Sequence, residues 1–486
     1  MLKNKRLLSW AALPGLLLFF CAALQCADEN KPRLNFLLIT VDDMNWDSLG
    51  VNGCKVAGIS PNIDRLASQG LLFNHAHVTI AVCMPTRAVW MTGRYPHRSG
   101  ALGFQKINPG VPTLLEALKK AGYHTGILAK VPHVVPSRGE SWDLVLQARE
   151  LGVGRDPALF AEHSGKFFAA AKAAGKPFFL MANSQSPHRP FANSKQGATR
   201  KKANPKKKKK ASNFPVVENP YKPGDIPVPG FLPPLDKIKT EMAQYYTSVR
   251  RADRITGAVL KELDKAELAD NTLVMFLSDH GMPLPFAKTN CYYHSTRTPW
   301  IVRLPGVTKP GSIDRQHMVS GIDLAPTVLD LLGLPPLAGM DGRSFRPLLS
   351  GKEQSGRDRI FTHFHRTAGR RDYPMRSVLT HRWGYIYNGW ADGKTVFKNE
   401  SQNGLSMAAM KAAASNNSSI AERVKLFLYR VPEELYDYEK DPDALHNLIG
   451  DPAHKERVES FRRQLAGHMK DTADPQLAPF NKFLGD

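Results

Sequence analysis

The sequence predicts an α/β domain built on a large, mostly parallel sheet flanked by helices, followed by a small α+β C-terminal domain with an antiparallel sheet. Three observations carry this. Short, nearly continuous apolar runs alternate with amphipathic helical patterns from residue 34 to about residue 332. Several of these runs end in charged residues, at the strand ends where open α/β sheets gather their sites. From about Tyr373 the pattern changes to short strands and a last helix.

Leu34–Val41 is an almost unbroken apolar run, as a strand buried on both faces requires, and Asp42-Asp43 follows it. Ser60-Pro61 opens a helical pattern (Ile63, Leu66, Ala67) that Gly70 stops, and proline suits a first helical position. A further helix is expected to start at Pro85. Residues 112–120 repeat the scheme, Gly122 closes it, and 123–130 reads as the next strand, ending in Lys130. A helix over 167–174 and a strand over 177–183 follow. A long helical pattern over 236–268 precedes the apolar run 272–278, which ends in Asp279-His280. A strand over 299–304 and a helix over 322–332 complete the alternation. In the C-terminal part, strands are expected at 376–379 and 383–388 and a helix at 454–469. The domain plan is therefore an export signal at 1–27, a catalytic domain at 28–372 and a small domain at 373–486. Residues 193–234, rich in Lys and Pro and without a period, interrupt the large domain as an insertion.

Composition fits an exported globular protein. Of 486 residues, 42% are hydrophobic and 23% charged, which excludes a disordered chain. Lys3, Lys5 and Arg6 precede an apolar stretch from Leu7 to Leu24 that Pro14 interrupts and Ala27-Asp28-Glu29 follows. This reads as a cleaved signal, giving a secreted or periplasmic protein with no stable membrane span afterwards. The formal charge of +22 is uneven, with nine positive charges between Lys195 and Lys210. Like charges repel and extend, so this run reads as a solvated loop. Nucleic acid is not expected as a partner of an exported chain, whereas a polyanionic glycan could be steered by such a loop. Cys21 and Cys26 leave with the signal, which leaves Cys54, Cys83 and Cys291. Cys54 and Cys291 are candidates for a disulfide, and Cys83 is the odd cysteine.

Cys83 opens the run Cys83-Met84-Pro85-Thr86-Arg87, followed by Ala88-Val89-Trp90-Met91-Thr92-Gly93. A lone cysteine is usually a small buried hydrophobe. One at a helix N-terminus sits in positive potential and is readily activated, which suits a thiol enzyme or a modified residue. An Asp-Asp pair after a strand is by itself a turn or a helix cap. Acidic pairs at two strand ends, Asp42-Asp43 and Asp279-His280, point instead to hard oxygen ligands for Ca²⁺ or Mg²⁺.

The run resembles the signature of the type I, formylglycine-dependent sulfatases, Cys-x-Pro-Ser/Thr-Arg followed at fixed distance by Thr-Gly. The resemblance implies the alkaline-phosphatase-like sulfatase fold, a sulfated saccharide as substrate, and a maturation enzyme that oxidises Cys83 to formylglycine. A hydrated aldehyde offers one hydroxyl to attack sulfur and a second whose deprotonation expels the sulfate, which an ordinary Ser or Cys cannot do. It further implies Asp42, Asp43, Asp279 and His280, with the residue made from Cys83, as ligands of Ca²⁺, Mg²⁺ being the alternative. Arg87, one turn beyond Cys83, would orient the hydrate. Lys130 matches a sulfate-binding lysine. His133, displaced by one residue from the family spacing, would take the proton of the second hydroxyl. His188 and Lys288 are the candidates for protonating the leaving atom, and imidazole titrates nearer neutrality.

The segments Ser278–Pro285, Tyr373–Val378 and Glu434–Asp437 resemble the N-sulfoglucosamine sulfohydrolases (sulfamidases) within this family. That subgroup implies removal of an N-sulfate from glucosamine in heparan-type saccharides, with His365 and Arg376 gripping the acidic sugar. His280 stands where the subgroup has Asn, and Lys288 where it has Arg. Three other readings stay open at this point: an O-sulfatase on another sulfated polysaccharide, a phosphatase of the same superfold, and a catalytically silent glycan-binding protein.

Overall fold

The computed structural model of the protein describes residues 33–134, 142–194 and 215–485. Its larger sheet contains β1 (Asn35–Asp42), β2 (Leu71–His77), β3 (His124–Leu128), β4 (Leu144–Leu146), β5 (Phe178–Pro187), β6 (Thr272–Ser278), β7 (Trp300–Arg303) and β8 (Ser312–Ser320). The spatial order is β4-β3-β5-β1-β6-β7-β2-β8. Every neighbouring pair is parallel except those made by β7, which runs antiparallel to both β6 and β2.

β1 lies inside the sheet with all its residues buried, hence its unbroken apolar run. Alternate side chains feed two cores. Leu37, Ile39 and Val41 join one, together with Met242, Tyr245 and Val249 of the long helix, whereas Phe36 and Leu38 join the other with Leu114 and Leu118. The helices that matter below are α1 (Pro61–Ser68), α2 (Cys83–Thr92), α3 (Pro96–Ser99), α4 (Leu114–Lys120), α5 (Val131–Val134), α6 (Pro157–Ala173) and α7 (Asp236–Lys265). Thr113 and Glu116 close a reciprocal cap at the start of α4.

The structure differs from the sequence reading at several boundaries. α2 begins at Cys83 rather than Pro85, because a proline lacking its N–H is tolerated within a first turn. α6 begins ten residues before the expected 167, capped by Asp156, whose carboxylate accepts from the Ala158 and Leu159 N–H groups. Its first half carries His163, Ser164 and Gly165, which mask the helical period.

A second sheet, order β12-β11-β10-β9, is antiparallel throughout: β9 (Arg359–Arg366), β10 (Asp372–Thr380), β11 (Trp383–Asn388) and β12 (Glu433–Asp437). The C-terminal sheet therefore starts at Arg359, and a boundary at 373 would cut the ladder joining β9 to β10. Val378, Tyr385 and Leu435 pack there against Val458, Phe461 and Leu465 of the helix Lys455–Asp471.

The candidate disulfide between Cys54 and Cys291 does not form. Cys54 and Cys291 are free, and the buried Cys291 thiol faces the Thr362 carbonyl of β9. Among the described residues, no helix is long and apolar enough to cross a membrane. The expected signal and the Lys195–Lys210 run, apart from its neighbours at 193–194 and 215–234, lie outside the described residues.

Candidate active site

The site forms where β1, β5 and β6 end side by side. β1 and β5 stay in register through Thr40↔Asn183 and then slip, so that Asp42 faces Pro187. This bulge falls at the carboxyl ends of the strands, the edge at which open α/β sheets carry their sites. Asp42, Asp43, Asp279 and His280 are all fully buried there. Asp43 turns into the left-handed region (φ 71°), as do Ala129 (φ 57°) and Lys130 (φ 53°) at the end of β3. Such conformations are costly for residues with a Cβ and collect at functional sites. Gly281 is required where it stands, since a Cβ would lie 2.0 Å from the His294 carbonyl oxygen.

Arg87 ties the strand ends together. Its Nε and Nη2 donate to Asp279 Oδ2 at 3.2 and 2.9 Å, and Nη1 donates to Thr40 Oγ1 at 2.9 Å and Asn183 Oδ1 at 2.7 Å. The Asn183 amide in turn donates to the Leu128 and Ala129 carbonyls, fixing the end of β3. Arg87 is thus a positioning residue, fully committed to protein partners. Burial is the largest influence on Lys130 and works against its charge, yet Asp42 in ion-pair contact, Cys83 and Asp279 together outweigh it and raise the lysine pKa. Lys288 donates to both oxygens of Asp43, at 2.8 and 2.9 Å, and to Glu400. His188 Nε2 stands 3.8 Å from Glu400 and 4.0 Å from Asp43 and keeps a quarter of its side chain exposed. His133, on α5, lies close enough to feel Lys130 and Asp42, and burial pulls its pKa down to about 3.

One expectation is corrected. Burial pushes the Cys83 thiol up to about 12, outweighing any help from the helix N-terminus or from Lys130. The unmodified cysteine is therefore no thiolate nucleophile.

The residues fit a hard divalent cation. One ligand atom each of Asp42, Cys83, Asp279 and His280 lies within 4.8 Å of the others. His280 Nδ1 stands 3.0 Å from the Gly281 carbonyl, which can only accept, so the proton sits on Nδ1 and the Nε2 lone pair faces inward. That Nε2 lies 3.1 Å from Asp43 Oδ1 without a hydrogen-bond partner. A lone pair aimed at a carboxylate repels it unless a cation stands between. Burial, with the charge of Asp42, raises the Asp279 pKa, and burial raises that of Asp43. Burial opposes ionisation of Asp42 too, but Lys130, His188 and Arg87 hold it well below the carboxylate range.

A cavity of about 380 Å³ opens onto this floor, lined by Cys83, Phe104, Lys288, Thr367, Lys398 and Glu400 among others. Residues 398–403 of its wall come from the C-terminal part of the chain. Glu400, Thr40 and Asn183 were missed in the sequence because none stands in a charged motif or beside another site residue. Conversely, His365 and Arg376 do not reach the cavity. Arg376 is fully buried, and its guanidinium donates to Asp474 at 2.5 and 2.7 Å and to the Phe364 and Met375 carbonyls. His365 is buried on β9, two residues before the wall residue Thr367. Neither can grip a sugar in this arrangement.

Comparison with known proteins agrees with this geometry. The family model "Sulfatase" matches residues 34–334. The chain belongs to the sulfatase family. A second model, "N-sulphoglucosamine sulphohydrolase, C-terminal", matches residues 279–395 of this sulfatase. Human N-sulphoglucosamine sulphohydrolase is 30% identical over 472 residues, covering 92% of this chain and 91% of its own. An ulvan-active sulfatase of Formosa agariphila is 28% identical, covering 92% of this chain and 82% of its own. A solved structure described as a complex with its substrate D-glucosamine-2-N,6-O-disulfate superposes with a TM-score of 0.67 at 18% identity, covering 93% of this chain and all of that one. The phosphonate monoester hydrolase of Agrobacterium radiobacter superposes with a TM-score of 0.66 at 19% identity, covering 90% of this sulfatase and 96% of that chain. The alkaline-phosphatase-like sulfatase fold is thus shared with proteins described by different chemistries, and the fold by itself does not name the reaction.

Proposed function

We propose that this sulfatase is exported and removes sulfate from a sulfated saccharide, with the N-sulfate of glucosamine as the group released, through a formylglycine made from Cys83. The observation that carries the reading is the place of Cys83. It opens α2 at the foot of the cavity, within ligand distance of Asp42, Asp279 and His280. The identity to the human N-sulphoglucosamine sulphohydrolase and the match of its C-terminal model support the N-sulfate over an O-sulfate. The comparable coverage of the ulvan-active relative keeps the O-sulfate reading as the alternative to test.

Asp42, Asp43, Asp279 and His280 would hold Ca²⁺, or Mg²⁺, which supplies Lewis acidity and lowers the pKa of a bound hydroxyl. The hydrate of formylglycine supplies two hydroxyls on one carbon, one to attack sulfur and one to release it. The protein's own residues do the rest. Arg87 holds Asp279 and the ends of β1 and β5 in place. Lys130 and Lys288 set positive charge on either side of the floor to bind sulfate oxygens, and Lys398 sits exposed in the cavity wall. His188, partly exposed and 3.8 Å from the cavity-wall residue Glu400, delivers the proton to the leaving nitrogen or oxygen. His133, neutral and with its Nδ1 unpartnered, receives one.

Mass spectrometry of the peptide containing Cys83, from protein made in its native host, tests the reading. An aldehyde in place of the thiol is expected, and an unmodified cysteine in active enzyme would refute the mechanism. Sulfate release from N-sulfoglucosamine and from 6-O-sulfated glucosamine decides the bond. Turnover of the O-sulfate alone would move the assignment to the alternative. Exhaustive chelation should lower both activity and melting temperature, with Ca²⁺ or Mg²⁺ restoring them.

A further inference from the structure

A second buried cluster lies behind the wall of the cavity. His97 comes from α3, His363 and His365 from β9, and Asp474 from the turn after the helix Lys455–Asp471. One ring nitrogen of each histidine lies within 4.8 Å of the other two. Nδ1 of His97 and Nδ1 of His363 stand 3.7 and 3.8 Å from Asp474 Oδ2. These two nitrogens and Nε2 of His365 are buried without a hydrogen-bond partner. His363 is 0% and His365 6% exposed, so water does not satisfy them from outside.

One tautomer is set from outside the cluster. His97 Nε2 lies 3.0 Å from the Thr472 carbonyl, which can only accept, so Nδ1 keeps its lone pair. His363 Nε2 meets His468 Nε2 at 3.3 Å, a contact in which either ring can donate. Tyr95 stacks on the His363 ring with centroids 4.6 Å apart and fixes its plane. Arg376 grips Asp474 from the far side. Burial and the nearby Arg376 hold His363 and His365 in the neutral form that ligates. Unpartnered buried polar atoms are rare in folded proteins and need a cause. A water in the gap can donate to two acceptors, whereas three nitrogens face it, two of them beside Asp474 Oδ2. A cation satisfies all three.

We propose that His97, His363 and His365 form a second metal site, for a transition-metal ion of the zinc class that takes three imidazoles and one further ligand. Three imidazoles suit Zn²⁺ or Co²⁺ and not the hard cations of the strand-end site. The ion would join α3 and β9, immediately behind the cavity-wall residues Thr367–Gly369.

The full chain, saturated with Ca²⁺ and then dialysed against Zn²⁺, should retain one equivalent of zinc on gel filtration. The double variant His363→Gln/His365→Gln should lose that equivalent while keeping its Ca²⁺ content and circular dichroism. Equal zinc in both proteins would place it elsewhere and overturn the assignment. Should the variant not fold, the Co²⁺-loaded wild type decides. The intense visible absorption of a four-coordinate, nitrogen-ligated ion is expected, and the weak spectrum of a six-coordinate ion would overturn the proposal.

Discussion

The strand-end site and the cluster behind the cavity wall use the same materials to different ends. Each is buried, each holds histidines, and each centres on an arginine–aspartate pair, Arg87–Asp279 at 2.9 Å and Arg376–Asp474 at 2.7 Å. The first is the floor of a cavity at the carboxyl ends of β1, β5 and β6, whereas no residue of the second lines that cavity. A buried arginine–aspartate pair is thus no mark of catalysis. What distinguishes the two is placement at the carboxyl edge of a parallel sheet, where strand ends open rather than pack.

That contrast can be broken by substitutions that should separate chemistry from stability. The largest effect is expected from Cys83→Ala, which should bring sulfate release below detection while melting stays within a few degrees. Surviving turnover would remove Cys83 from the mechanism. His188→Ala should lower kcat ~10²–10⁴-fold with melting unchanged. Arg376→Met should do the reverse. It strands the buried Asp474 charge, a loss of about 3–5 kcal/mol in denaturant unfolding, while KM and kcat of the folded protein hold. A raised KM with intact stability would return Arg376 to the sugar.

The smallest effect should come from between the two regions. Glu241, on α7, accepts from Arg189 beside His188 and from the Leu405 and Ser406 N–H groups just beyond the cavity-wall residues Glu400–Asn403. Glu241→Gln should cost about 1.5–3 kcal/mol and raise KM several-fold, read by melting and by steady-state kinetics. Its pH signature is fixed in sign. Burial would raise the Glu241 carboxyl, but Arg189 and Ser406 hold it below the ordinary glutamate value of 4.5. The stability it contributes is therefore complete above that value and lost as pH falls below it, and the variant should lack this acid-side loss.

Much of this was legible in the sequence. β1, β6 and α2 announce themselves through unbroken apolar runs and a spaced signature, and Asp42, Asp43, Cys83, Arg87, Asp279 and His280 follow from them because they sit at or next to those elements. α6 was half legible, since His163, Ser164 and Gly165 interrupt its period. Glu400 was not legible at all. It sits in a loop without a motif, and only the docking of residues 398–403 against Lys288 gives it a role. Arg376 shows the opposite error. A segment typical of a subgroup suggested a substrate contact, and packing against Asp474 made it a strut.

By itself, the sequence determined the α/β alternation, the cysteine that opens the signature and the acidic strand ends, because each is written in local spacing. The tertiary structure alone decided the rest. It raised the Cys83 thiol by burying it, aimed the His280 lone pair at the carboxylates, and brought Glu400 to Lys288 across 112 residues. It also sealed Arg376 away from the cavity. Burial and long-range pairing depend on which distant segments meet, and no local pattern encodes that.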